Sequence, residues 1–550
     1  MHGDGDPLTP LYPSKKELFK SRTIEQAKRD GALPSIPVLP VSYSTAYQIL
    51  SRMKGRPAPQ PWQGAINVTY KVGPGFQSDE TLTISVNGNL KIKKIRNVVG
   101  YIRGKDEPDR YVILGNHYDA WVYGSMDPNS GTAILAEVAR AMMQAVNESG
   151  WRPARTIMFA AWDGEEHGII GSTEFVEEFT DILRQRAIVY LNMDCLHGNT
   201  SLHVGTTPSL YRITMDAARK IENPSKSEKA KGRETMYDSW VKTFPSGTPG
   251  LPNIPVPGGG SDHAAFLTYA GVPVVDFTYK NATTRDTYPL YHTMYETPFL
   301  NEHLLDTDNF AVHRAVGQYW AELARYFTDE AVLPFNTTEL ANVILKGYAL
   351  EKCQKSCFGW LWSPNLIEGR LSENITIPPS MYSYCRSSGI SPNESQIRDD
   401  HVLHAIGIFA ESVRPPAYFS RERETDEVNP TAICIHNPQQ QLIPSYSAQR
   451  CFINPRGMAT APQSRHVLYS ISEHDSYSSR QMAAVYDAVG FWWLGSVTSG
   501  DGPIPSFQVD AFANADSDQQ RVVLGMEIAN QMSIVQHSIH CATSTLKDVI

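Results

Sequence analysis

The sequence predicts an α/β sandwich at the centre of the chain. Two observations carry this: strand-like and helical runs alternate between residues 93 and 329, and the chemistry-bearing side chains fall just after the strand-like runs. YVILGNH opens the series. GTAILAEVARAMMQAV follows, with Ile134, Leu135, Val138, Ala139, Met142 and Met143 on one helical face, the pattern of a helix covering a sheet. TIMFAAW is the next strand, a helix follows EEHG, and AIVYLNMD and later VPVVDFTY complete the set.

A chain of 550 residues is too long for one core, so flanking regions are expected on both sides. Residues 1–92 are rich in Pro and Gly and carry alternating runs such as TLTISVNG and LKIKKIRNVVGYI, which read as loops and short strands without a helical core, part of a domain. Residues 330–550 lose the strand pattern. Segments such as SSRQMAAVYDAVGFWWL and DQQRVVLGMEIANQMSIVQHSIHCATSTL read as a separate, mainly helical domain.

The composition is that of a folded globular protein, 41% hydrophobic and 19% charged, and a formal net charge of −9 gives no basic surface for nucleic acid. No run of 18 or more apolar residues occurs. Sequons at Asn67, Asn147, Asn199, Asn281, Asn336, Asn374 and Asn393 exceed chance and point to the secretory pathway. Of seven cysteines, six lie between Cys353 and Cys541, compatible with up to three disulfides, while Cys195 stands apart.

The chemistry lies in one ordered series: His117, Asp127, Glu165, Glu166, Asp194 and His292. Two imidazoles and three carboxylates form a hard-to-borderline ligand set suited to paired zinc ions. Asp127, in GSMDPNSG, is the expected bridge, one oxygen for each cation, because dications about 3.5–4 Å apart repel strongly without one. Of the adjacent acids, Glu166 is the expected ligand and Glu165 the base that takes a proton from the attacking water. Asp119, two residues after His117, is expected to accept the other imidazole N–H. A spare carboxylate beside a metal pair predicts hydrolysis.

At these residues, and through GDPLTPLYP, VGPGF, EPDRYVILGNHYDAWVYG, GWRPARTIMFAAWD, GGGSDHAAF and YPLYHTMYET, the chain resembles the dizinc exopeptidases that include glutamate carboxypeptidase II and the N-acetylated-alpha-linked acidic dipeptidase-like proteins. The resemblance implies a three-layer α/β/α peptidase domain at 93–329, a partial protease-associated domain at 1–92 and a helical dimerisation-like domain at 330–550. It assigns His117, Asp127 and Asp194 to one zinc, and Asp127, Glu166 and His292 to the other. Glu165 is then the general base and Tyr291 an oxyanion donor. Gly260 and Ser261 face the substrate. Thr9, Tyr12, Glu174 and Glu177 match a structural calcium site.

The substrate positions depart from the glutamate-selective members. His203 stands at an arginine position, Val275-Asp276-Phe277-Thr278 replaces an arginine-containing strand, and Ser476 replaces a lysine, although Tyr477 is kept. Lost guanidinium forks weaken carboxylate recognition. The expectation is therefore a broader exopeptidase, or an aminopeptidase with Asp276 holding the substrate amine. The alternatives are an acidic dipeptidase and a non-catalytic protein of the transferrin receptor type. The resemblance further implies a homodimer on small-peptide substrates, at the cell surface or outside it. Membrane attachment would lie in an N-terminal segment that does not precede Gly5 here. Residues 330–550 are long enough to supply the dimer surface; the alternative is that their apolar residues, Trp492 and Trp493 included, only make a core.

Overall fold

The computed structural model describes residues 5–88, 90–281, 290–344, 447–458, 462–471, 477–481, 534–535 and 537–545. Ser476, Trp492, Trp493, the sequons at Asn374 and Asn393, and Cys353, Cys357, Cys385 and Cys434 lie outside these. The described residues fall into two compact units, one spanning Arg22–Lys94 and the other comprising residues 5–21 and those from Ile95 onward.

The larger unit is organised by a sheet of six strands: β1 (Val98–Ile102), β2 (Glu107–His117), β3 (Arg155–Trp162), β4 (Ala187–Asn192), β5 (Ser201–Thr206) and β6 (Val274–Lys280), in spatial order β1-β3-β2-β4-β6-β5. The four central strands are parallel, and β1 and β5 close the edges antiparallel. Strands covered on both faces read as continuous apolar runs, which is why YVILGN, TIMFAAW and AIVYLN are so apolar.

Alternate residues of each strand face different layers. Val112, Leu114, Ile157 and Leu191 share a core with Ile134, Leu135, Val138 and Met142 of the helix Asn129–Ser149 and with Trp320 and Phe327 of the helix Ala311–Asp329. Ile113, Met158 and Tyr190 face the other way, onto Val176 and Leu183 of the helix Ile170–Arg186. This is a three-layer α/β/α arrangement. Met143, expected on the buried face of its helix, is 41% exposed: it lies one position past Met142, at the edge of the apolar stripe.

Residues far along the chain pack on the second face. Leu340, Ile344, Ala448, Phe452, Val535 and Ile539 bury in the same core as Ile113 and Tyr190. A disulfide joins Cys451 to Cys541, whereas Cys195 is buried and unbridged. Ser479–Gln481, read from sequence as the start of a helix, is instead strand β8, paired antiparallel with β7 (Tyr469–Ile471). Residues 537–545 are helical, as expected.

The unit Arg22–Lys94 differs from its sequence reading. Among its described residues there are two short helices, Ile24–Arg29 and Tyr43–Leu50, and isolated bridges such as Pro57↔Lys71, with no ladder. Thr23 and Gln26 form a capping box that starts the first helix. The alternating run TLTISVNG is not a strand: Leu82, Ile84 and Val86 are about half exposed, and among the described residues no backbone pairs with it.

Candidate metal centre

Three of the expected ligand segments emerge from the carboxyl ends of adjacent parallel strands. His117 ends β2, Glu165 and Glu166 follow β3 in a tight turn, and Asp194 follows β4, so residues distant in sequence converge at one rim. Asp127 comes from the loop before the helix Asn129–Ser149, and His292 from the turn at 290–297.

The side chains meet closely. His117 Nε2 lies 3.1 Å from Asp194 Oδ1 and 3.2 Å from Asp127 Oδ1. His292 Nε2 lies 3.0 Å from Asp127 Oδ2 and 3.1 Å from Glu166 Oε2. Asp127 thus divides its two oxygens between two imidazoles. Two ligand groups result, His117 with Asp127 and Asp194, and Asp127 with Glu166 and His292, each set of donor atoms within 4.8 Å of one another. Glu165 belongs to neither, and its Oε2 stands 4.0 Å from His117 Nε2.

The residues present fit a pair of cations. Glu166 Oε1 is buried without a hydrogen-bond partner among the described residues, a costly arrangement that a cation relieves. The charge balance agrees. Burial would lower the His117 pKa, but Asp194 and Glu165 hold it well above its ordinary value; burial likewise opposes protonation of His292, yet Asp127 and Glu166 push it up to about 9. Burial raises Glu165 well above the usual carboxylate range and raises Glu166 less. Asp127 goes the other way: against its burial, both imidazoles lower it.

Around these groups the backbone and neighbouring side chains fix orientation. His117 Nδ1 donates to the main-chain oxygen of Asp119 at 3.0 Å, which leaves Nε2 for a metal. The sequence reading gave this task to the Asp119 carboxylate. That carboxylate instead accepts Glu165 N–H at 2.9 Å and Glu166 N–H at 3.3 Å, holding the turn that carries both acids; its Oδ1 is 3.7 Å from His117 Nδ1. Short spacing brought Asp119 to the site, but two converging amides compete better for its oxygens.

Ser261, expected at the substrate, is 4% exposed and donates its hydroxyl to Asp194 Oδ2 at 2.5 Å. Asn192 Nδ2 donates to Ser261 Oγ at 3.0 Å and to Asp276 Oδ1 at 2.9 Å. Asp276 Oδ1 also lies 3.7 Å from His263 Nδ1, so this oxygen is engaged within the sheet rather than free for an amine. His203, on edge strand β5, packs its ring edge-on to Phe244 at 5.0 Å. Neither Asp276 nor His203 belongs to the two ligand groups.

Tyr291 stacks on His292 at 3.7 Å between ring centroids, and its hydroxyl meets that of Tyr477 at 2.9 Å. Gly260 lies against the Tyr477 ring so closely that a β-carbon there would sit 2.4 Å from Cδ1, which explains glycine at this position. Trp121 packs edge-on against His167 at 4.8 Å and faces His292 at 6.2 Å. Glu296, inside the quoted YHTMYET segment, had no role in the sequence reading; it is buried and binds the main chains of both Asp127 and His292. Its position four residues after His292 was the available signal.

Of the residues expected to hold calcium, Thr9 and Tyr12 lie on the segment whose amides Glu174 and Glu177 bind. Glu174 accepts Asp6 N–H at 2.7 Å and Ser14 N–H, Glu177 accepts Leu11 N–H at 2.9 Å, and the Thr9 hydroxyl is buried without a partner among the described residues. Tyr12 donates its hydroxyl to Phe19 O at 2.5 Å. Burial pushes Glu174 up to about 7. Gly5 N–H donates to Gly168 O at 3.2 Å, so residues 5–14 wrap the loop and helix start just beyond Glu165 and Glu166.

Comparison with known proteins places this geometry in context. Residues 97–315 match the model of peptidase family M28. The chain is 52% identical to a glutamate carboxypeptidase 2 homolog of Caenorhabditis elegans over 100% of its own length and 65% of that protein. It is 30% identical to aminopeptidase NAALADL1 of Mus musculus over 99% of its length and, again, 65% of that protein. It therefore spans just under two thirds of these relatives. Among solved structures, BSAP, a zinc aminopeptidase from Bacillus subtilis, is 21% identical with a TM-score of 0.31, over 42% of this chain and 50% of that one.

Proposed function

The chain belongs to peptidase family M28, and from that premise we propose that it is a dizinc metallo-exopeptidase acting on small peptides. The observation that carries this reading is the sharing of Asp127 between His117 and His292, with Glu165 alongside. His117, Asp127 and Asp194 would hold one zinc, and Asp127, Glu166 and His292 the other. When bound, the zinc pair supplies Lewis acidity, which acidifies water and polarises a peptide carbonyl. Glu165, in its buried position, takes the proton of the attacking water and passes it to the departing amine. Tyr291 stays protonated because burial raises its pKa, and it donates to the oxygen that gains charge.

Specificity is read as broader than acidic dipeptides, because His203, the strand Val275-Asp276-Phe277-Thr278 and Ser476 stand where glutamate-selective members carry cationic groups. Cleavage from the amino end is the first reading. Cleavage from the carboxyl end, as an acidic dipeptidase would do, is the second; it is favoured by the name of the 52% identical relative and by the engagement of Asp276 with Asn192. A panel of N-blocked acidic, N-free neutral and C-amidated peptides decides between them, with zinc removed and restored. Faster turnover of an N-acetylated acidic dipeptide than of unblocked neutral peptides selects the second; no turnover of any member by the zinc-loaded protein overturns the enzyme reading.

A structural calcium ion at Thr9, Tyr12, Glu174 and Glu177 belongs to the same proposal, since oxygen-only donors suit that ion and the Thr9 hydroxyl lacks a partner among the described residues. A secretory or cell-surface setting is supported by the Cys451–Cys541 bridge and by the exposed sequons at Asn67 and Asn147. No helix among the described residues is long and apolar enough to cross a membrane.

A further inference from the structure

Most of the centre is carried on strand ends, but Asp127 and His292 are not. They sit on separate loops, and one buried side chain joins those loops. Glu296, 2% exposed, accepts His292 N–H on Oε1 at 2.6 Å and Asp127 N–H on Oε2 at 3.0 Å. Its main-chain oxygen accepts Ser125 N–H at 3.0 Å, and Asn301 Nδ2 donates to Ser125 O at 2.6 Å, so the two loops are stitched on both sides of the carboxylate.

The backbone of His292 gives this contact a specific task. Its φ is 57°, in the left-handed region that a residue with a β-carbon rarely adopts, and that conformation persists only where the surroundings impose it. The bond from His292 N–H to Glu296 is one such restraint. It directs the imidazole at Asp127 and Glu166.

We propose that Glu296 is a positioning residue that sets the spacing of Asp127 from His292, and so controls the Asp127–Glu166–His292 half of the centre more than the other half. The inference rests on reading these side chains as metal ligands. The asymmetry follows from the supports. His117 and Asp194 are fixed independently by β2, by the end of β4, by the Asp119 carbonyl and by Ser261. In the other half, two of the three ligands hang from loops that Glu296 joins.

The test uses the full chain stripped of metal and titrated with zinc against a competing chelator, comparing wild type with Glu296→Gln, Glu296→Asp and, as reference, His292→Ala. Gln keeps the volume but presents an NH2 to one of the two amides. The expected result is two equivalents for wild type, and for Glu296→Gln one equivalent of wild-type affinity with the other weakened about 10- to 100-fold, the range typical of lost outer contacts. His292→Ala should show the same selectivity more strongly. Thermal unfolding of the metal-free proteins is read in parallel. Two equivalents at wild-type affinity in Glu296→Gln overturn the proposal, as does equal weakening of both with a lower metal-free melting temperature, the signature of a merely structural role. Should Glu296→Gln not fold, Glu296→Asp, which keeps the charge but is one methylene too short to reach both amides, carries the same expectation. Wild type taking up no zinc overturns the metal reading itself, a distinct outcome.

Discussion

Ser261 donates its hydroxyl to Asp194 Oδ2 at 2.5 Å, leaving the other oxygen of that carboxylate directed at His117. The hydroxyl in turn accepts from Asn192, so the orientation of Asp194 is inherited from the sheet. Ser261→Ala should weaken zinc binding about 10-fold or more, with little change in global stability. Chelator competition on the metal-free protein measures the first and thermal unfolding the second. Unchanged zinc affinity would show that Asp194 is held by its backbone alone.

Glu165 belongs to neither ligand group, although its Oε2 stands 4.0 Å from His117 Nε2. Glu165→Gln should keep two zinc ions by metal analysis and lose about 100- to 10,000-fold in kcat, the usual worth of a positioned base. Loss of a zinc ion together with activity would instead make Glu165 a ligand.

Glu174 offers a pH test away from the centre. Burial holds its pKa at about 7, above the ordinary 4.5, so the folded state binds a proton that the unfolded chain has released. Its contribution to stability is therefore full below about pH 4.5 and is lost as pH rises through about 7. A calcium ion bound there would compete with that proton, so its stabilising effect should grow across the same window. Melting temperatures from pH 5 to 8, with calcium or a chelator, should show this divergence in wild type and lose it in Glu174→Gln. Parallel curves for the two proteins would rule it out.

The Cys451–Cys541 bridge closes a separation of 90 residues and joins two segments of the second core. Replacing both cysteines with alanine should destabilise the protein by about 2–5 kcal/mol, read from denaturant unfolding. A change below about 0.5 kcal/mol would mean that packing of Phe452 and Ile539 alone holds these segments.

The central strands were legible because a strand covered on both faces must be apolar throughout, and the candidate ligands follow them. YVILGN led to His117 and AIVYLN to Asp194 on that logic. Hydrogen-bond partners were not legible. Asp119 was placed at the centre by its spacing, but which atoms it would accept depended on where β3 delivered the amides of Glu165 and Glu166. Glu296 is only half legible for the same reason: His292 lies four residues before it, but its second partner, Asp127, reaches it through tertiary structure alone. The failure at residues 81–88 is of another kind. Alternation shows that a segment could be a strand, whereas a strand exists only when another backbone pairs with it.

Residues 5–14 have a consequence for what counts as the working unit. They lie outside the segment 97–315 that matches the family, yet Gly5 binds the carbonyl of Gly168 and Glu174 gathers the amides of Asp6 and Ser14, immediately beyond the turn bearing Glu165 and Glu166. Cutting the chain to its matched core would release this strap and strip Phe452 and Ile539 from the same face of the sheet, the one that the helix Ile170–Arg186 covers. A piece that keeps these contacts is accordingly discontinuous in sequence, drawing on residues 5–14 and on the segments around Phe452 and Ile539 as well as on the matched core.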